Sequence, residues 1–204
     1  MALQRGNGRL EVVCGPMFSG KSAELIRRIR RSQIARQKTE LFKHSSDNRR
    51  SLDHVDSHDG SCLHACAFGD VGCLERHIAA DTEVVGIDEV QFFHMEIILL
   101  VDRLVSEGRR VIAAGLDLDF RGIPFGCMPI LLALADEVVK LKAVCTKSGK
   151  DAPLTQRVVN GVAAKSTDPF ILIGAAECYE ARAREFHEID YKPLAEYVKQ
   201  HFGA

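Results

Sequence analysis

The stretch GPMFSGKS, Gly15 to Ser22, follows the apolar run LEVVC of residues 10–14 and precedes a basic segment with helical spacing. Its eight residues fit G-x-x-x-x-G-K-[ST] in full. The glycines let the backbone curl so that successive N–H groups face phosphate oxygens. Lys21 adds a positive charge toward the β and γ phosphates, and the Ser22 hydroxyl is a natural Mg²⁺ ligand. A helix opening near Gly20 points its positive end at the same place. With a strand before it and a helix after it, the motif reads as a nucleotide-binding P-loop. A glycine-rich turn carrying a solvated lysine is the weaker alternative.

Such a site needs an acidic residue at the end of a buried strand, and VVGIDEVQFF (84–93) supplies one. Asp88 closes the strand and is placed to hold Mg²⁺ directly or through water. Glu89 follows it. Adjacent residues leaving a strand point in different directions, so one carboxylate can serve the metal and the other the acceptor. Glu89 is then the candidate catalytic base, activating either an attacking hydroxyl, as in a kinase, or water, as in an ATPase.

Working outward, four Val- and Ile-rich runs read as strands covered on both faces: 10–14, 40–42, 83–88 and 109–117. Helical spacing over 20–37 gathers Leu25, Ile26, Ile29 and Ile34. Over 94–107 it gathers Ile97, Ile98, Val101, Leu104 and Val105. Strand and helix in alternation predict an α/β fold, a P-loop NTPase (RecA-like) parallel sheet flanked by helices. Residues 44–61 are polar and read as a long functional loop. From Lys140 the pattern changes to short apolar runs with turn residues, a small C-terminal β appendage. The expected division is 1–140 for the main domain, 141–191 for the small one and 192–204 for a tail.

The 204 residues carry a net charge of -1, which gives no electrostatic case for nucleic acid or a membrane surface as partner. RRIRR (27–31) reads as a solvated helix face. The seven cysteines, an odd number, and the lack of a leader-like or membrane-spanning apolar run lead to the expectation of a reduced cytoplasmic protein.

GPMFSGKS and IDEVQFF, with GLDLDFRGIPFG (115–126), VKLKAVC (139–145), LTQRVVNG (154–161) and ILIGAAECYEAR (171–182), together resemble the thymidine kinases of the tetrameric P-loop type. The resemblance covers nearly the whole chain and implies transfer of the γ phosphate of ATP to the 5′-hydroxyl of thymidine, with Mg²⁺. It places Glu89 on the catalytic base. It places Gly15, Pro16, Met17, Phe18, Ser19, Gly20, Lys21, Ser22, Asp47, Asn48, Arg49, Asp88 and Gln91 at ATP, with Ser22, Asp47 and Asp88 at Mg²⁺. Met17, Phe92, Leu116, Phe120 and Phe125 match positions that wall the thymine ring. Thr155, Phe170, Ile171, Leu172, Ile173 and Gly174, with Tyr179 beside them, match a lasso that reads the base through backbone groups. A homotetramer acting in pyrimidine salvage is the family expectation.

The family usually pins its small domain with zinc held by two C-x-x-C pairs. Here only Cys145 matches; the other three positions are Ser148, Ala183 and Phe186. Cys178 and His187 lie nearby but out of register. Zinc is therefore expected to be absent, with packing around Phe170, Ile171, Ile173 and Phe186 in its place. The competing function is a P-loop ATPase or motor module acting on nucleic acid, which would share the P-loop and the Asp-Glu pair.

Overall fold

The computed structural model describes residues 7–46, 53–56, 60–168, 177–189 and 193–203. Asp47, Asn48, Arg49 and the stretch Phe170, Ile171, Leu172, Ile173, Gly174 lie outside them. The chain divides into two compact units. The first comprises Met1–Cys14, Gly20–Leu116 and Gly126–Lys140; the second comprises Gly15–Ser19, Asp117–Phe125 and Leu141–Ala204.

The first unit is built on a six-stranded, all-parallel sheet. Its strands are β1 (Arg9–Cys14), β2 (Thr39–His44), β5 (Cys66–Phe68), β6 (Val84–Asp88), β7 (Arg110–Gly115) and β8 (Glu137–Lys140). Their spatial order is β5-β2-β6-β7-β1-β8. The four strands read from apolar runs are all present. The two edge strands escape a sequence reading because β5, CAF, has only three residues and β8, EVVK, is only half apolar. The centre of the sheet is dry. Val12, Val13, Val85, Ile87, Ile112 and Ala113 are fully buried, so the strands need apolar residues on both faces.

The connecting helices are α1 (Lys21–Ile34), α2 (Val71–His77), α3 (Ile97–Ser106) and α4 (Met128–Leu134). Leu25, Ile26 and Ile29 of α1 are buried as expected, but Ile34 is 82% exposed. At 3.6 residues per turn Ile34 stands about 140° from Ile29, outside the apolar stripe. The segment expected to be a loop over 44–61 contains a strand. β3 (His54–Asp56) pairs antiparallel with β4 (Cys62–His64), placing Val55 opposite Leu63. Val55 is buried; a single alternating apolar residue among polar neighbours is too weak a signal to read.

The second unit holds two small antiparallel sheets. β9 (Ala143–Val144) pairs β10 (Asp151–Ala152), and β11 (Leu154–Val159) lies between β12 (Val162–Ala163) and β13 (Glu177–Arg182). This is the β appendage read from the sequence. The expected tail contains a helix, α5 (Pro193–Phe202).

Candidate active site

In the first unit the candidate residues converge at the carboxyl ends of the parallel strands, where open α/β sheets bind ligands. Ser22, in the first turn of α1, donates its hydroxyl to Asp88 Oδ2 at 2.9 Å. Asp88 Oδ1 accepts the backbone N–H of Glu89 at 3.0 Å. Burial pushes the Asp88 carboxyl well above the usual carboxylate range, and the adjacent Glu89 charge adds to this; the Ser22 hydroxyl, the Glu89 N–H and the Lys21 charge act the other way. Lys21, itself buried, is therefore within electrostatic reach of Asp88. A buried carboxylate short of positive charge, beside a hydroxyl oxygen, is the donor set a hard divalent cation prefers. Ser22 and Asp88 thus fit Mg²⁺; the third expected ligand, Asp47, lies outside the described residues.

Glu89 has φ 52° and ψ 39°, a left-handed conformation that a non-glycine residue seldom adopts. It turns the chain out of β6 into a short 3-10 turn, Val90–Phe92. Gln91, in that turn, donates Nε2–H to Glu89 Oε2 at 2.5 Å and accepts the Leu116 N–H on Oε1 at 3.0 Å. Glu89 and Gln91 are both buried, while Phe92 is 41% exposed. His44, at the end of β2, was not among the residues singled out from sequence. Its ring lies 4.7 Å from Phe93 and 5.8 Å from Phe92, centroid to centroid. Burial holds its imidazole below the ordinary value, although a hydrogen bond to the Gly69 backbone and the Glu89 charge oppose this. Its position at a strand's carboxyl end was the only available signal.

In the second unit, residues 15–19 form a turn in which the Ser19 hydroxyl donates to Pro16 O at 2.8 Å. The Met17 N–H donates to Thr155 Oγ1 at 3.0 Å, joining two of the expected site residues. Gly15 has φ 140°, and a Cβ there would lie 2.4 Å from the Leu141 carbonyl oxygen, so no other residue fits without moving backbone. Phe18 also has positive φ. In the segment 117–125 Asp119 accepts from the N–H groups of Arg121 and Ile123 and from the Arg121 guanidinium. Phe120 is buried, with the Arg157 guanidinium 5.1 Å from its ring centroid. Met17, Phe125 and Tyr179 are half-buried, as is Leu116 in the first unit.

Where the resemblance implies zinc, the residues present do not fit it. Cys145 is buried among Ala143, Ala152, Ala181 and Ala183, and Phe186 packs on the same cluster. Burial acts to raise its thiol, but hydrogen bonds from the Ser148 hydroxyl and from N–H groups of Ala183, Lys147 and Ser148 bring it down to about 7. Among the described residues no group of three or more His, Cys, Asp or Glu side chains is placed to hold a metal ion.

Among families of known proteins, a model described as thymidine kinase matches residues 8–187, which takes in the P-loop, the Asp88-Glu89 pair and β9–β13. The reaction of that family is phosphorylation of thymidine, and the match favours this activity over the motor reading. The phosphate-binding turn, the buried acidic pair and this match over most of the sequence lead to one conclusion: the chain belongs to the thymidine kinase family.

Proposed function

We propose that Glu89 is the general base of thymidine phosphorylation in this chain and that Lys21, Ser22 and Asp88 serve the phosphates and their cation. The observation that carries the reading is the 2.9 Å hydrogen bond from Ser22 to Asp88, with Glu89 next in the chain. It unites the serine of the P-loop with the carboxylate that such sites use for Mg²⁺. Ser22 and Asp88, with Asp47, would hold the ion, which when bound offsets charge on the β and γ phosphates. The backbone N–H groups of residues 15–22 and the Lys21 ammonium orient the triphosphate. Glu89 takes the proton of the thymidine 5′-hydroxyl as its oxygen attacks the γ phosphorus. The bond from that phosphorus to the bridging oxygen breaks, leaving ADP and thymidine monophosphate.

The nucleoside is assigned to Met17, Phe92, Leu116, Phe120 and Phe125, with Thr155, Tyr179 and the stretch 170–174. Family membership supports this assignment and, equally, a homotetramer that works in cytoplasmic pyrimidine salvage. No described helix is long and apolar enough to cross a membrane. The small domain, taken as 141–191, is proposed to be zinc-free, because three of the four expected ligand positions hold Ser148, Ala183 and Phe186.

ATP consumption should require thymidine and be indifferent to single-stranded DNA. Glu89→Gln should keep ATP binding and lose on the order of 10²–10⁴-fold in turnover. DNA-stimulated hydrolysis, or near-normal turnover in Glu89→Gln, would defeat the reading.

A further inference from the structure

We propose that Gln91 is a positioning residue for the catalytic base, acting through both ends of its side-chain amide. This rests on the reading of Glu89 as that base. The Leu116 backbone nitrogen has only a proton to offer, so the Gln91 oxygen must face it. That fixes which way the amide points and leaves Nε2–H directed at Glu89 Oε2, 2.5 Å away. A rotated amide would set N–H against N–H at Leu116 and oxygen against carboxylate at Glu89.

The consequence for Glu89 is geometric. One carboxylate oxygen is held by a donor, so the carboxylate can no longer rotate freely and is presented to the acceptor hydroxyl in one orientation. The backbone at Glu89 is already in the left-handed region, which a single side-chain tether helps to hold. Among the described residues, Asp88 beside it in the chain and His44 from β2 interact electrostatically with the base. The fold makes room for this amide: a Cβ at Gly115 would lie 2.5 Å from Gln91 Oε1. Leu116 is where β7 leaves the sheet, so the amide also ties the base to the start of the segment assigned to the nucleoside.

Two substitutions of nearly equal size separate orientation from mere filling of space. Gln91→Met removes both hydrogen bonds. Gln91→Glu keeps an acceptor for the Leu116 N–H but has no proton for Glu89; a proton shared between the two carboxylates would itself occupy the base. Both should lower kcat by about 10- to 100-fold, the scale of a displaced catalytic group. The Michaelis constant for thymidine should stay within about twofold. Gly115→Ala, which displaces the amide without altering it, should show the same split in weaker form and carries the test if a substitution at Gln91 unfolds. Wild-type kcat in Gln91→Glu would overturn the proposal, since anchoring of Leu116 would then suffice. So would a loss of substrate affinity and melting temperature with kcat intact, the pattern of a structural residue. Glu89→Gln is assayed alongside: if it turns over normally the base assignment itself has failed, whereas an inactive Glu89→Gln beside an unaffected Gln91→Met condemns only the role of Gln91.

Discussion

Lys21 is buried at the start of α1, within reach of the Asp88 charge, in a turn whose glycines have no side chains to shield phosphate from it. Lys21→Ala removes a point charge that offsets the triphosphate at rest and as charge redistributes during transfer. On the proposed role of Lys21, nucleotide affinity and turnover should both fall sharply, while the melting temperature barely moves. Equilibrium ATP binding and steady-state rates check this; unaltered affinity would contradict the assignment of the turn. Lys21, Ser22, Asp88 and Glu89 stand out in sequence because they fall within motifs of eight and ten residues, and the structure brings Ser22 against Asp88. The tether on Glu89 was not legible in the same way. Gln91 stands two residues away, but the Leu116 N–H that fixes its amide is contributed by another strand end.

At the level of elements, the turn 145–150 is fastened to the segment 180–188 by hydrogen bonds, ion pairs and apolar packing. The Thr146 N–H donates to Ala181 O at 3.1 Å, and Thr146 Oγ1 contacts both Glu180 and Arg182. Lys147 pairs with Glu188 and Lys150 with Glu185, but these ion pairs are exposed and contribute little. The apolar cluster around Cys145 carries more, and Phe186 is its one large side chain. Phe186→Ala should cost about 1–2 kcal/mol, short of the full value for a buried Phe because the ring is only half-buried. It should raise the Michaelis constant for thymidine while ATP binding changes little. Strong chelators, followed by restored Mg²⁺, should leave melting temperature and activity unchanged. One zinc per chain by elemental analysis would refute the metal-free account. The substitution of ligands was plain in sequence; the Ala-lined cluster that receives Phe186 was not, since it is assembled from β9, β10 and β13.

Across the whole molecule, the parallel sheet leaves its amino ends to a buried charge network far along the strands from the candidate site. Glu11 is fully buried and accepts from Arg28 and Arg110, and Arg28 also bonds Glu24 and Glu137. Burial acts to raise the Glu11 carboxyl, but these guanidinium partners hold it below the usual range; Arg27 and Arg28 bring Glu24 down to about 2. Both carboxyls are depressed on folding, so their contribution is present above the ordinary carboxylate value of 4.5 and is lost as the pH falls below it, for Glu24 toward about 2. Glu11→Gln removes the carboxylate that Arg28 and Arg110 share, although Arg28 keeps Glu24 and Glu137, and should destabilise by about 1.5–3 kcal/mol near neutral pH. The gap in melting temperature from wild type should shrink as pH falls below the ordinary carboxylate value, and the Michaelis constant for ATP should not change. A gap independent of pH would contradict the role of Glu11 ionisation.

The sequence by itself determined the α/β class, four of the six sheet strands, and the position of a buried acidic pair at the end of β6. Each of these is written in local periodicity or in a short motif whose chemistry is set by neighbouring residues. The edge strands β5 and β8, the β3–β4 hairpin and the exposure of Ile34 were decided only in three dimensions. Short strands borrow their stability from partners distant in the chain, and a helix's buried face is chosen by what it packs on. The same reason separates Ser22 and Asp88 as motif members from Ser22 hydrogen-bonded to Asp88 across 66 positions of sequence. The residue types were readable in order along the chain; their meeting depends on β1 and β6 lying in one sheet with β7 between them.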